Sequence, residues 1–189
     1  MRGPSLRLVS VNDVYTLENF PRLRTLVRHH AETEPADAFL TTLAGDFLAP
    51  SLLSSLDRGV GMVDCLNALP IQCVCFGNHE QDVPFDALIA RTQQYRGTWL
   101  NTNMPDFRPE LPATKVVTVQ GAGTRAVRVG LLGVLTEDPM LYPPHAFGGL
   151  GIAPAHETAL RVARELIERD GCACVVALTH QSNVLGTIN

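Results

Sequence analysis

Ile71-Gln72-Cys73-Val74-Cys75-Phe76-Gly77-Asn78-His79-Glu80 is an apolar, β-prone run that breaks at a glycine and ends on an amide, an imidazole and a carboxylate. The same order of residue types recurs on either side of it. Ala38 to Leu43 is followed by Ala44-Gly45-Asp46, Leu6 to Val11 by Asn12-Asp13, and Cys172 to Leu178 by Thr179-His180. Between these runs lie stretches with apolar residues at helical spacing. They are Phe20 to Ala31 (Phe20, Leu23, Leu26, Val27), Gly61 to Leu69 (Met62, Val63, Leu66, Leu69) and Pro84 to Tyr95. Near-continuous apolar strands alternating with helices predict an α/β fold with a sheet covered on both faces.

The remainder fits that frame. Trp99 to Asn103 reads as another strand, and Pro105, Pro109 and Pro112 mark a loop. Lys115 to Val119 and Val127 to Val134 read as a hairpin joined through Gly121-Ala122-Gly123. Asp138 to Pro154 is a Pro/Gly-rich loop holding Tyr142, His145 and Phe147. Thr158 to Arg169 is an amphipathic helix with Leu160, Ala163, Leu166 and Ile167 on one face.

Composition removes several function classes. The 189 residues are 46% hydrophobic and 18% charged, with a net charge of −4. Lys115 is the only lysine. An acidic chain with scattered arginines has no electrostatic footprint for a nucleic-acid polymer. No apolar run approaches the roughly 18 residues of a membrane span, so no membrane partner is expected. Leu6 to Val11, interrupted by Arg7 and Ser10, is too short for a secretory core. Five cysteines, an odd set, suit a reducing compartment, and a cytoplasmic location is expected. Oligomeric state is left open.

In open α/β sheets, ligands bind beyond the carboxyl ends of the strands. Asp13, Asp46 and Asn78 follow one another at intervals of 33 and 32 residues, about one strand-helix-strand unit each. Successive parallel strands therefore deliver them to one edge of the sheet, where His180 ends a later strand. Carboxylate, amide oxygen and imidazole together suit a hard or borderline divalent cation such as Mn²⁺, Fe²⁺ or Zn²⁺. Gly45 and Gly77 allow a sharp turn as each strand ends.

These strings resemble the calcineurin-like metallophosphoesterases, and within them the 5′-nucleotidase-like branch. The resemblance rests on Ser10-Val11-Asn12-Asp13-Val14-Tyr15, Leu43-Ala44-Gly45-Asp46, Gly77-Asn78-His79-Glu80-Gln81-Asp82 and Ala177-Leu178-Thr179-His180. Gly130-Leu131-Leu132-Gly133 followed by Thr136 is similar to a strand and turn of that branch. The resemblance implies metallophosphoesterase-like sheet layers covered by helices and hydrolysis of phosphate esters, nucleotides first among them, at a dinuclear centre of Mn, Fe or Zn. It further implies Asp13 on the first metal, Asp46 bridging, and Asn78 with His180 on the second. His79, oriented by Asp82, is implied as a catalytic group that stabilises phosphoryl charge without binding metal. The partner so implied is a phosphorylated small molecule.

Two departures qualify that pattern. Where the family carries Asp-x-His, the third position is Tyr15, either a ligand or a tyrosine packed beside the site. The family's later Gly-x-His-x-His loop has no counterpart before Asn189, nine residues after His180. Residues 1–189 are therefore expected to form a single partial domain, incomplete at its C-terminus and without the branch's separate nucleotide-binding domain. At most one metal is expected in this chain, with weak activity or none. The alternative is a non-catalytic relative that binds a partner or a single metal. A flavin- or nucleotide-binding sheet would need a glycine-rich loop after the first strand, and Asn12-Asp13-Val14-Tyr15 is not one. Cys73-Val74-Cys75 and Cys172-Ala173-Cys174 are expected to pack in the core, since strand residues two apart share a face.

Overall fold

A computed structural model describes residues 3–181 of the chain. Strands β1 (Leu6–Val11), β2 (Ala38–Ala44), β3 (Cys73–Cys75) and β4 (Thr98–Leu100) form a parallel sheet in that order. Strands β5 (Thr114–Val119), β6 (Val127–Leu135) and β7 (Cys174–His180) form a second sheet, with β5 antiparallel and β7 parallel to β6. The helices are α1 (Phe20–Thr33), α2 (Leu52–Asp57), α3 (Val60–Asn67), α4 (Phe85–Gln94) and α5 (Ala155–Glu168).

Side-chain alternation along the strands dictates the layering. Leu43, Val74 and Trp99 face one way, into a core with Phe20 of α1, Met62, Val63 and Leu66 of α3 and Leu88 of α4. Leu40, Ala44, Cys73, Cys75 and Leu100 face the other way, onto Val129, Leu131 and Leu178 of the second sheet. Leu132 and Val134 take the outer side of that sheet and bury Ala155, Val162 and Leu166 of α5. The result is the expected α/β fold, with two stacked sheets between helical layers. Gly133 permits the stack near the site: a Cβ there would lie 2.7 Å from Leu100 Cβ and 2.8 Å from Cys75 Cβ.

Several local expectations change. The buried face of α5 is Ala155, Thr158, Val162 and Leu166, while Leu160 and Ile167 are exposed, because the helix begins at Ala155 and its contact stripe is rotated. Leu26 of α1 is likewise exposed. Helix α2 was invisible to periodicity because it buries nothing: Leu52 and Leu56 are 82% and 79% exposed, and a Ser51/Ser54 capping box starts it. β4 ends at Leu100 because Asn101 and Thr102 turn their N–H groups to Pro112 O and Gly133 O. Cys73, Cys75 and Cys172 are buried as expected, but Cys174 is exposed, on the edge strand β7. Among the described residues no helix is long and apolar enough to cross a membrane.

Candidate metal centre

All four strands of the first sheet run parallel, so Asp13 after β1, Asp46 after β2 and Asn78 after β3 emerge at one edge. The β1–β2 ladder continues past the strand ends through Asp13 N–H to Gly45 O (3.2 Å) and Val14 N–H to Asp46 O (2.9 Å). That continuation sets the two aspartates side by side. Both adopt left-handed backbone, φ +53° at Asp13 and φ +55° at Asp46. Such conformations cost about 1–3 kcal/mol in non-glycine residues and persist only where surrounding contacts hold them.

The contact that holds Asp46 comes from Glu80, which is fully buried. Its carboxylate accepts the backbone N–H groups of Asp46 (2.9 Å), Phe47 (2.8 Å), Leu48 (3.1 Å) and Gly77 (2.5 Å). Hydrogen bonds to a charged acceptor contribute about 1.5–3 kcal/mol each, enough together to offset the strain at Asp46. Burial and the nearby Asp46 charge push the Glu80 carboxyl up, against the pull of those amides. Gly45 and Gly77 lie back to back beneath this turn. A Cβ on Gly77 would come within 2.5 Å of Asp46 N and collide with its carboxylate, and one on Gly45 would reach Gly77 Cα at 2.7 Å. Gly77→Ala is therefore expected to destabilise the chain by about 1–3 kcal/mol, the usual cost of overpacking, as read from chemical denaturation. An unchanged midpoint would show that the turns can separate freely.

Asp46 is the hub of the site, 2% exposed. Its Oδ1 accepts the His79 N–H at 2.8 Å, and its Oδ2 lies 3.0 Å from the Tyr15 hydroxyl and 3.2 Å from His180 Nε2. Burial pushes this carboxyl up, but the contacts with His180, the His79 amide and Tyr15 outweigh it and hold it below the ordinary range. His180 arrives from the second sheet, at the end of β7, and its Nδ1 lies 2.7 Å from Ala44 O. That carbonyl accepts a hydrogen bond from Nδ1–H, which leaves Nε2 facing Asp46. Burial pushes the His180 imidazole down, yet Asp46 and the Ala44 carbonyl raise it to about 9.

The structure thus gathers Asp13, Asp46 and His180, whose donor atoms lie within 4.8 Å of one another. Asn78 lies at the adjacent strand end, where it opens the 3-10 turn after β3. His79 is not part of that gathering. Asn78 to Asp82 form a 3-10 turn, which aligns residues three apart, and His79 Nδ1 meets Asp82 Oδ2 at 2.6 Å. The Tyr15 hydroxyl lies 2.8 Å from Asp13 Oδ1, bridging the two aspartates, and its ring meets His79 edge-on at 6.2 Å. Burial and these carboxylates push the Tyr15 phenol far above its usual range. An oxygen-rich set with one imidazole, its tautomer fixed by a carbonyl, suits a hard or borderline divalent cation.

The loop after β6 starts beside His180, where Thr136 N–H donates to His180 O at 2.8 Å. It borders an open cleft of about 460 Å³ whose lining includes Glu137, Tyr142, His145, Leu150 and Ile152. Two of its non-glycine residues, His145 and Phe147, have left-handed backbone. The sequence singled out this loop but assigned it no cleft, and it placed Glu80 in the motif without giving it a role.

No protein-family profile and no curated protein matches the chain. Solved structures do. A 5′-nucleotidase precursor from Thermus thermophilus superposes with a TM-score of 0.75 at 22% identity, over 93% of this chain and 37% of that one. The NAD nucleotidase of Haemophilus influenzae gives 0.76 at 18% identity, over 93% and 34%. The calcineurin-like phosphoesterase YfkN of Bacillus subtilis gives 0.75 at 16% identity, over 97% and 64%. The chain spans about a third of the length of the two nucleotidases and less than two thirds of YfkN. Its fold is the one these 5′-nucleotidase and calcineurin-like phosphoesterase structures share.

Proposed function

We propose that this chain carries a metal-dependent phosphoesterase centre acting on phosphorylated small molecules, nucleotides first among them. The observation that carries the proposal is the gathering of Asp13, Asp46 and His180 at the meeting edge of two sheets, with Asn78 opening the turn after β3 at that same edge. In this reading Asp46, Asn78 and His180 hold one divalent cation, Mn²⁺, Fe²⁺ or Zn²⁺, with Asp13 as the carboxylate toward a second. When bound, such a cation supplies Lewis acidity, drawing charge from phosphoryl oxygens and making a water acidic enough to attack.

The chain's own residues do the rest. Asp82 holds His79 by its Nδ1, so Nε2 is the nitrogen left to donate to a phosphoryl oxygen as charge develops there. Tyr15 keeps the Asp13 and Asp46 carboxylates together through its hydroxyl. The cleft beside the loop after β6 offers the Tyr142 and His145 rings with Leu150 and Ile152 to a planar, partly apolar leaving group such as a nucleoside. Nucleotidases are among the structures of the same fold, which supports that substrate class.

The test is turnover of an aryl phosphate and of nucleoside monophosphates by metal-stripped chain with and without added Mn²⁺. Slow, Mn²⁺-dependent release of phosphate that a chelator abolishes is the expected result. Mn²⁺ binding with no release above the metal-only blank would leave a binding protein in place of a hydrolase.

A further inference from the structure

We propose that Glu80 is a positioning residue that sets the cation affinity of this centre by anchoring both turns that carry its ligands. The proposal rests on the metal-binding reading above. Glu80 Oε1 takes the N–H groups of Phe47 and Leu48, and Oε2 takes those of Asp46 and Gly77. These four donors belong to the turns after β2 and β3, outside any strand or helix, so no backbone ladder satisfies them. Asp46 is itself one of the donors, and Asn78 follows Gly77 directly. One side chain thereby fixes the separation between a carboxylate and an amide that belong to different strands. It also holds Asp46 in the left-handed backbone that points its carboxylate at His180.

The chemistry requires a carboxylate of this length. Four N–H groups converge on two oxygens, and a glutamine keeps only one of them. Its NH₂ would face two N–H donors and leave both unpaired in a buried site. An aspartate is one methylene too short to span both turns. Groups of this kind, which touch no metal but orient its ligands, typically cost about 10–100-fold in affinity when changed.

The experiment measures Mn²⁺ affinity of the full chain by calorimetry, and the visible spectrum of the Co²⁺-loaded chain, for wild type and Glu80→Gln. Tyr95→Phe is the comparison. It removes a buried hydrogen bond to Ile71 O at the opposite edge of the sheet, and so lowers stability without touching the ligand turns. Glu80→Gln is expected to weaken Mn²⁺ binding by about 10–100-fold and to shift the Co²⁺ bands, with Tyr95→Phe close to wild type. Equal Mn²⁺ affinity in wild type and Glu80→Gln overturns the anchor while leaving the metal centre standing. So does an equal loss in Tyr95→Phe. A wild type that binds no Mn²⁺ overturns the metal-binding reading and the anchor with it. Should Glu80→Gln not fold, amide exchange of the wild type decides. Protection of Asp46, Phe47, Leu48 and Gly77 as one group supports the anchor, and free exchange of these four amides refutes it.

Discussion

Asp46→Asn is expected to empty the centre while leaving the chain folded. The asparagine keeps the shape of the side chain and, at the Oδ1 position, an oxygen for the His79 amide, while its NH₂ at the Oδ2 position donates to the Tyr15 hydroxyl, which then acts as acceptor. What goes is the negative charge that faces His180 Nε2 at 3.2 Å, between two side chains that are themselves largely buried. Changing a group that merely orients metal ligands costs about 10–100-fold, and a buried ligand carboxylate is expected to cost at least as much. Asp13→Asn should cost less. Asp13 is exposed, and its contacts are the Tyr15 hydroxyl and the Asn12 amide. Metal content after dialysis against Mn²⁺, read with the melting temperature of each variant, checks the order. Equal content in wild type and Asp46→Asn would remove Asp46 from the ligand set.

Strand ends were legible because each is punctuated in the same way, an apolar run closed by a metal-capable side chain. Parallel pairing turned that one-dimensional spacing into a shared edge. The contact of His79 with Asp82 came only from the resemblance, and its physical reason, a 3-10 turn that aligns residues three apart, emerged with the structure. The role of Glu80 was not legible. Its partners are four backbone N–H groups, which every non-proline residue carries and no sequence advertises. Nor could spacing show how His180 approaches Asp46. That meeting depends on stacking two sheets, and it is permitted locally by Gly133, where any side chain would strike Leu100 and Cys75. Helix α2 escaped for the opposite reason. Its stability comes from a serine capping box and chain connectivity, with no buried face to leave a periodic trace.

His79→Asn is expected to lower kcat by about 10²–10³, the typical loss when a group stabilising transition-state charge is removed, with metal content unchanged. The geometry separates the two effects. The His79 backbone N–H, which the substitution keeps, is what touches Asp46, whereas the imidazole is committed to Asp82 at Nδ1 and lies outside the gathering of Asp13, Asp46 and His180. An asparagine therefore preserves the turn and loses the imidazole that we propose reaches the phosphoryl oxygen. Asp82→Asn tests the same arrangement from behind. It weakens the hold on Nδ1 without deleting the imidazole, so its kcat should fall between those of wild type and His79→Asn while KM stays near wild type. Both variants are to be assayed with saturating Mn²⁺ on the same aryl phosphate, alongside metal analysis of each preparation. Loss of metal in parallel with activity would make His79 a ligand. Unchanged kcat in His79→Asn would mean that phosphoryl charge is met elsewhere, with Tyr15, edge-on to the same ring, the next residue to substitute.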